Sequence, residues 1–309
     1  MAELSLTDLT RAVQTPAETV LSAEKNYHDK IRSLAEETVR RGARIVFLAG
    51  PSAAGKTTSA NLLSDAVKAL GTPSVVVSLD NFYRDNRDPD YPRLPNGERN
   101  LETVEALDLG LISSVLHRVL HGEAFAVPHY DFKIGRADGE PYRFEGSENS
   151  VVIVEGLHAL NPKISGTVDP GLSLRVFVSV STNLTDGGKR LLSGKKMRFL
   201  RRLVRDSLYR GASADHTLSL WENVLAGELK YLYPFKSLAD VTVDTFHLFE
   251  LPVLVPFAKA TLEGTPADTE FLKTVCDAIR KIPAMDVKYV PEDSLIKEFI
   301  PGGIYEHLY

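Results

Sequence analysis

One short stretch constrains this chain more than any other: residues 50–57 read Gly-Pro-Ser-Ala-Ala-Gly-Lys-Thr. They match the phosphate-binding pattern G-x-x-x-x-G-K-[ST], with the apolar run 44–49 before it and the helix-compatible run 58–70 after it. Glycine lets backbone N–H groups wrap a polyanion, and the N-terminus of the following helix adds partial positive charge. We therefore expect a nucleoside triphosphate here, with Lys56 on its β- and γ-phosphates and the Thr57 hydroxyl on Mg²⁺. The predicted nucleotide-binding residues of this loop are Gly50, Pro51, Ser52, Ala53, Ala54, Gly55, Lys56, Thr57 and Thr58.

The composition limits the class of protein. The chain has 309 residues, of which 43% are hydrophobic and 25% charged, enough to bury a large core in one α/β domain. A net charge of −5 argues against broad binding to nucleic acid or anionic membranes. The single cysteine, Cys276, cannot form an intramolecular disulfide, and no apolar run approaches the roughly 20 residues that span a bilayer. These features predict a cytoplasmic protein without nucleic-acid or membrane partners, and they leave homo-oligomerisation open.

Alternating elements predict the fold class. Short β-branched runs lie at 44–49, 74–79, 151–155 and 174–180, with helical patterns between them. This alternation is typical of an α/β fold in which helices cover both faces of a parallel sheet, and with the phosphate loop it predicts the P-loop NTPase fold. Residues 5–42 have apolar side chains at helical spacing, which predicts a helical extension packed on the core.

Two carboxylates directly follow predicted strands. In an open parallel sheet, ligands bind beyond the carboxyl ends of the strands, so Asp80 and Glu155 are candidates for chemistry. Glu155 follows four aliphatic residues, an arrangement in which a carboxylate approaches Mg²⁺ directly or through its water shell. Asp80 is suited to deprotonate a hydroxyl that attacks the γ-phosphate. We assign Thr57 and Glu155 to the metal and Asp80 to general base catalysis.

A basic stretch, residues 189–211, follows the fourth predicted strand. Arg198, Arg202 and Arg205 fall on one helical face, where their mutual repulsion favours an anion close by. A lid that closes over the triphosphate would provide that anion, because its arginines neutralise the transferring phosphoryl group and exclude water. The residues predicted to be catalytic are Lys56, Asp80 and Arg205.

Several motifs occur in the order and spacing of a known family. They are the phosphate loop, Ser-Leu-Asp-Asn-Phe-Tyr-Arg at 78–84, Pro-His-Tyr-Asp-Phe at 128–132, Val-Ile-Val-Glu-Gly at 152–156, Arg-Arg-Leu-Val-Arg-Asp at 201–206 and Arg-Gly at 210–211. Together they resemble the uridine kinase/phosphoribulokinase family of P-loop kinases, and in particular its bacterial uridine kinase branch. Further similarity lies at 221–228, 233–236, 239–240 and 295–300. The resemblance implies ATP- and Mg²⁺-dependent phosphorylation of the ribose 5′-hydroxyl of a small-molecule nucleoside, first of all uridine or cytidine.

The resemblance also implies roles for single residues. Arg202 and Arg210 would contact the nucleotide, Tyr83 would line the nucleoside pocket, and Tyr130 would contact the base. The implied substrate-binding residues are Asp80, Tyr83, Glu102, Tyr130, Phe132, Arg136 and Arg205.

Three positions depart from the pattern of the family. Glu102 stands where uridine kinases commonly have an aspartate that binds the ribose hydroxyls, and it retains a bidentate carboxylate. The segment 133–136, Lys-Ile-Gly-Arg, stands where they have a histidine that reads the pyrimidine edge, so base preference stays open. Ala212 stands where an arginine is frequent, which lowers the charge of the lid.

With the resemblance included, the chain divides into an N-terminal helical extension, residues 1–42, and a P-loop kinase domain, residues 43–309. Within the latter we expect a β-hairpin insertion at about 123–146, a lid at about 186–213 and C-terminal helices at about 246–300. The Pro-, Asn- and charge-rich segment 85–99 is typical of an active-site loop.

Two other functions compete with the favoured nucleoside kinase. A kinase of another small alcohol, such as a sugar phosphate or pantothenate, would use Lys133 and Arg136 to bind the anion of its acceptor. A nucleotide-binding switch without transfer activity would not require Asp80, Glu155 and Lys56 together with the arginines of the lid.

Overall fold

The computed structural model describes residues 3–94 and 97–308. Positions 1, 2 and 309, at the ends of the two predicted domains, and positions 95 and 96 of the predicted active-site loop lie outside these ranges. The strands are β1 (Glu3–Ser5), β2 (Ile45–Ala49), β3 (Ser74–Ser78), β4 (Phe125–Val127), β5 (Tyr130–Asp131), β6 (Arg136–Ala137), β7 (Tyr142–Phe144), β8 (Val151–Glu155), β9 (Ser173–Ser179), β10 (Asn183–Asp186), β11 (Lys189–Leu192) and β12 (Val241–Asp244). The helices are α1 (Leu6–Ala12), α2 (Pro16–Arg40), α3 (Lys56–Ala69), α4 (Leu109–Leu120), α5 (Pro162–Ser165), α6 (Gly194–Arg210), α7 (Ala214–Tyr231), α8 (Glu250–Thr261) and α9 (Glu270–Lys281).

A parallel sheet with the strand order β12-β9-β2-β8-β3 forms the centre of the fold. Successive side chains of β2 enter two different apolar cores: Val46 and Leu48 pack on one face of the sheet, and Ile45 and Phe47 on the other. Every residue of β2 and β8 is buried for this reason. The α/β P-loop fold predicted from the sequence is confirmed. The edge strand β12 was not among the predicted strands, since it has only four residues and a mixed polar pattern.

The N-terminal residues pack on the sheet domain. Tyr27 and Ile31 of α2 are buried, and the Tyr27 hydroxyl lies 2.6 Å from the Ser59 hydroxyl of α3. Gly42, with φ of 66°, follows the end of α2, where the left-handed conformation favours glycine. Strand β1 pairs with β10, which pairs with β11, so a small second sheet ties the N-terminus to the start of α6.

Residues 125–144 contain two separate antiparallel pairs, β4 with β7 and β5 with β6. The inner pair is joined to the segment after β3, because the Asn81 side chain accepts the Tyr130 N–H at 3.3 Å. Asn86 also contacts the inner pair: its side-chain amide donates to the Ile134 carbonyl at 3.1 Å. Throughout residues 3–94 and 97–308, the helices are too short or too polar to cross a membrane.

A buried carboxyl in α2 predicts how stability depends on pH. Glu24 has a side chain only 8% exposed, with His247 Nε2 3.7 Å and His28 Nε2 3.9 Å from its Oε2. Burial raises the pKa of Glu24 to about 7; the Ser294 hydroxyl lowers it and the charge of Asp293 raises it. Burial also lowers the pKa of His247 to about 3, so this imidazole stays neutral near Glu24.

We expect the free energy of unfolding to fall as the pH rises from about 4.5 through 7, because the unfolded chain ionises Glu24 more readily than the folded one. Glu24→Gln removes this penalty. The free energy of unfolding of the variant should exceed that of the wild type by about 3 kcal/mol at pH 8 and match it near pH 4, because burial raises the pKa of Glu24 from 4.5 to about 7. Urea unfolding at several pH values measures the difference. Glu36→Gln, at an exposed site of the same helix, is the control. A constant difference between Glu24→Gln and wild type at all pH values would contradict the prediction.

Candidate active site

Three strand ends bring the phosphate loop, Asp80 and Glu155 to the same edge of the sheet. Glu155 ends β8, where it lies opposite Leu48 of β2 and Ser78 of β3. Gly50 follows Leu48 by two residues, and Asp80 follows Ser78 by two residues. The parallel register therefore places the loop and both predicted acids side by side.

The phosphate loop, residues 50–57, has a conformation that its sequence makes accessible. A Cβ at Gly50 would lie 2.4 Å from the Val178 carbonyl oxygen, so only glycine fits against β9. Gly55, with φ of 83°, precedes the first residue of α3. Ala53 also has positive φ, 56°, which is uncommon for a residue with a Cβ and costs conformational energy. Neighbouring groups must therefore hold the loop in place.

Side chains from distant elements hold the back of the loop. Thr245 donates to the Ala54 carbonyl at 2.8 Å, and Arg201 Nη1 donates to the Ala53 carbonyl at 3.3 Å. At the start of α3, Glu298 Oε2 accepts hydrogen bonds from the Thr58 N–H at 3.2 Å and its hydroxyl at 3.0 Å. No local pattern around Glu298 indicates this role, although its segment, 295–300, is part of the resemblance.

Asp80 lies in a short 3₁₀ turn after β3 and is exposed to solvent. The protein atoms around it desolvate its carboxyl enough to raise the pKa, whereas the positive charges of Lys56, Arg210 and Arg205 lower it. Water reaches the exposed carboxyl, and the three neighbouring positive charges favour its ionised form. A carboxylate with a raised proton affinity next to three cations is suited to accept a proton from a neutral hydroxyl.

Glu155, in contrast to Asp80, is buried, with 4% of its surface exposed. Burial raises the pKa of Glu155 to about 7; Lys56 lowers it, Asp80 raises it, and a hydrogen bond from Ser78 lowers it. A buried carboxyl of this kind gains from a nearby cation. Lys56 itself extends across the loop, where its Nζ donates to the Pro51 carbonyl at 3.3 Å.

Three arginines predicted to face the phosphates share one carboxylate. The side chain of Asp206, 6% exposed, lies 3.1 Å from Arg202, 3.2 Å from Arg205 and 3.1 Å from Arg210. We call these three residues the lid arginines. Asp206 offsets part of their mutual repulsion, and the charges of Arg205 and Arg210 still act on Asp80.

Arg198 differs from the expectation that a phosphate would be its partner. Its side chain is 2% exposed and makes two hydrogen bonds to Glu228 of α7, at 2.7 and 2.8 Å. The anion that neutralises Arg198 of α6 is thus the Glu228 carboxylate of the protein itself. Helical periodicity in α6 cannot reveal a partner that lies on another helix 30 residues away.

An aromatic cluster stands beside Asp80. The rings of Tyr83, Tyr130 and Phe132 lie 5.0–5.5 Å apart between centroids, and Tyr83 donates to the Leu101 carbonyl at 2.9 Å. Burial raises the pKa of Tyr83, as do the negative charges of Asp80 and Glu102. Phe132 is 56% exposed, so the cluster presents an apolar face to the open site.

Two further predicted substrate residues, Glu102 and Arg136, lie in different surroundings. Glu102 is half-buried near the lid: burial raises its pKa, and Arg202 lowers it. Arg136 lies exposed on β6, and its charge acts on Asp85, whose pKa is held at about 2 mainly by hydrogen bonds from Arg87. The negative charge of Asp80 also raises the pKa of Glu102, so these two acids are electrostatic neighbours.

The residues present fit a nucleotide with Mg²⁺. Lys56 lies in the loop, where its Nζ donates to the Pro51 carbonyl, and the Thr57 hydroxyl and Glu155 carboxylate are hard oxygen donors. In the part of the chain that the structure describes, no group of three or more His, Cys, Asp or Glu side chains is arranged to hold a metal ion. Mg²⁺ in a nucleotide site needs only one or two protein ligands, the others being water and phosphate oxygens.

Known proteins share these features. The Phosphoribulokinase / Uridine kinase family matches residues 45–250. A uridine kinase of Schizosaccharomyces pombe is 33% identical over 277 residues, 84% of this chain and 55% of the relative. A uridine kinase of Lactobacillus helveticus is 28% identical over 205 residues, 64% of this chain and 85% of the relative. Among solved structures, a Silicibacter chain described as a fructose transport system kinase has a TM-score of 0.50 at 24% identity, covering 69% of this chain and 98% of that one.

Fold and site together define a P-loop phosphotransferase that uses a nucleotide and acts on an alcohol. The similarity to the solved structure concerns the fold alone. The matched residues extend from β2 to the first residue of α8 and include the phosphate loop, both strand-end acids and the lid arginines. The chain belongs to the phosphoribulokinase/uridine kinase family, as its motifs predicted.

Proposed function

We propose that this protein transfers the γ-phosphate of ATP to the 5′-hydroxyl of a nucleoside, with uridine and cytidine as the main acceptors. The observation that carries the proposal is the surroundings of Asp80. The positive charge of Lys56, in the phosphate loop, acts on the Asp80 carboxyl from the donor side. The negative charge of Asp80 in turn acts on Tyr83 of the aromatic cluster. A proton acceptor between a donor site and an aromatic surface is what nucleoside phosphorylation requires. The names of the relatives, uridine kinases, also support it.

Donor binding is assigned to the phosphate loop. Its backbone N–H groups and Lys56 hold the phosphates, aided by the N-terminus of α3. Thr57 and Glu155 would hold Mg²⁺, which when bound neutralises charge on the β- and γ-phosphate oxygens. In the proposal, residues 186–213 act as a lid whose arginines exclude water from the bound phosphates.

The position of Asp80 suits it to assist transfer of the γ-phosphoryl group. An oxygen of the Asp80 carboxylate accepts the proton of the 5′-hydroxyl as the hydroxyl oxygen forms its bond to the γ-phosphorus. The bond from that phosphorus to the bridging oxygen breaks, and its electron pair leaves with ADP. Arg205 and Arg210 stabilise the negative charge of the transferring group.

Acceptor binding uses a carboxylate and the aromatic cluster. Glu102 accepts hydrogen bonds from the ribose hydroxyls, while Tyr83, Tyr130 and Phe132 pack against the base. A phosphorylated acceptor would need Arg136 in the site. Since Arg136 acts on Asp85 from an exposed strand, we favour the uncharged nucleoside.

Steady-state kinetics with a panel of acceptors tests the proposal. We expect kcat/KM for uridine and cytidine to exceed that for adenosine, guanosine and inosine by about tenfold or more, since a base site discriminates through its hydrogen-bonding groups. A pentose phosphate and pantothenate should be poor acceptors. Strong preference for either would overturn the nucleoside assignment, and equal ATP turnover with and without any acceptor would favour a nucleotide switch.

A further inference from the structure

Ser52, in the phosphate loop, is held by two helices through both its backbone and its side chain. Its N–H donates to Glu228 Oε1 of α7 at 2.9 Å. Its carbonyl accepts a hydrogen bond from Arg198 Nη1 of α6 at 2.8 Å, and its hydroxyl accepts one from Arg202 Nη1 at 2.9 Å. We call Arg198, Arg202 and Glu228 the Ser52 clamp. Through it, α6 and α7 are attached directly to the loop that the proposed donor occupies.

Two members of the Ser52 clamp form an ion pair inside the protein. The side chains of Arg198 and Glu228 are 2% and 0% exposed, and the guanidinium lies 5.6 Å from the centroid of the Trp221 ring. Removing two charges from water is costly, and their attraction offsets that cost only in part. Apolar side chains of similar volume stabilise a core as well or better. Net stability therefore does not account for the pair, whereas its bonds to the Ser52 peptide do.

The turn of α7 that carries Glu228 also touches the acceptor side of the site. Gly227 lies so close to Glu102 that a Cβ there would be 2.8 Å from Glu102 Oε2 and 3.0 Å from its Cβ. Arg202 of the Ser52 clamp acts electrostatically on Glu102 as well. One helical turn thus contacts the donor loop through Glu228 and the acid assigned to the ribose through Gly227.

We propose that Glu228 is a positioning residue for phosphoryl transfer: through Ser52 and Gly227, one turn of α7 sets the distance between the phosphate loop and Glu102. The inference rests on the proposed function, which takes these two places as donor and acceptor sites. Transfer requires the attacking oxygen in line with the γ-phosphorus, and a displacement of about 1 Å can lower the rate by about 10²-fold. Glu228 is fully buried and acts through its hydrogen bond to the Ser52 N–H, while the neighbouring Gly227 packs against Glu102.

The double variant Arg198→Met/Glu228→Leu removes the buried ion pair of the Ser52 clamp, keeps most of its volume and leaves Arg202 in place. We expect an unfolding midpoint close to that of the wild type, with kcat lower by about tenfold or more and KM for ATP and acceptor changed by less than about threefold. Lys56 and the N-terminus of α3 still bind the phosphates, but the relative placement of the two substrates is lost. Glu222→Gln, an exposed acid of α7, is the matched control and should behave as wild type.

A folded double variant with wild-type kcat would overturn the proposal, and so would a loss confined to KM for ATP. If the double variant does not fold, Gly227→Ala is the second test. Its methyl group displaces Glu102 from α7 and leaves the Ser52 clamp intact, so kcat should fall at unchanged KM for ATP. Unchanged kcat in Gly227→Ala would also overturn the proposal.

The two proposals fail in different ways. All variants are assayed with the acceptor that the wild type phosphorylates fastest. If that acceptor is not a nucleoside, the proposed function is wrong, and the clamp is judged by kcat with the acceptor found. If it is a nucleoside and the folded double variant matches the wild type, only the positioning role is wrong.

Discussion

Asp80→Asn should lower kcat by about 10²-fold or more while ATP binds nearly as in the wild type, because the amide cannot accept the proton of the attacking hydroxyl. The raised pKa of the Asp80 carboxyl, opposed by Lys56, Arg210 and Arg205, indicates a group whose charge state depends on its neighbours. The amide keeps the size of the side chain, so the pocket should be preserved. Single-turnover kinetics together with ATP titration by calorimetry separates the chemical step from binding.

Asp277→Asn is the control for this experiment, since Asp277 is an exposed acid of α9, outside both the predicted site and the loop 85–99. It should keep wild-type kinetics. An Asp80→Asn variant with unchanged turnover would remove Asp80 from the role of base, and with it the central step of the proposed mechanism.

Glu250→Gln should lower the free energy of unfolding by about 3–5 kcal/mol, because it leaves the Arg201 charge buried without a counter-ion. Both side chains are 0% exposed, and two hydrogen bonds of 3.1 and 2.6 Å join them. Glu250 also accepts the His247 N–H at 2.9 Å, and Arg201 donates to the Thr245 carbonyl at 2.9 Å. An arginine side chain does not lose its proton in a protein, so the cost of burying its unpaired charge remains.

Urea unfolding measures the effect, and an exposed pair of the same chemistry provides the control. Glu37 makes two hydrogen bonds to Arg40 on the surface of α2, both 2.7 Å, with side chains 27% and 70% exposed. Glu37→Gln should leave the unfolding midpoint close to that of the wild type, since solvent screens the pair. If Glu250→Gln unfolds at the midpoint of Glu37→Gln, burial is not what makes the Arg201–Glu250 pair important.

The elements that could be predicted from the sequence are those whose signal is local. The phosphate loop is contiguous, and the four predicted strands carry dense β-branched runs. Asp80 and Glu155 could be grouped because parallel strands end at one edge, a rule that needs no knowledge of side-chain packing. Strand β1 could not be predicted, since it has only three residues and pairs with β10 about 180 positions away in the chain.

The partners of the arginines of α6 show where local reasoning stops. Periodicity placed Arg198, Arg202 and Arg205 on one face and required an anion near them. In the structure Glu228 serves Arg198 and Asp206 serves the others, while Glu250 pairs with Arg201, which periodicity had not singled out. The acids at 228 and 250 looked like ordinary helical glutamates, because burial and bonding partners depend on how α7 and α8 pack against α6.

The amino-acid sequence alone determines the phosphate loop, the parallel α/β sheet and the pair of strand-end acids. Each depends on neighbours in the chain or on one general rule of sheet geometry. Contacts between residues that lie tens to hundreds of positions apart decide the rest of the site. They determine which carboxylates hold the phosphate loop, which arginines lie near Asp80, and which aromatic rings pack beside it. Those contacts exist only once the helices have packed, since the packing sets both the distances and the exclusion of water that give the charges their effect.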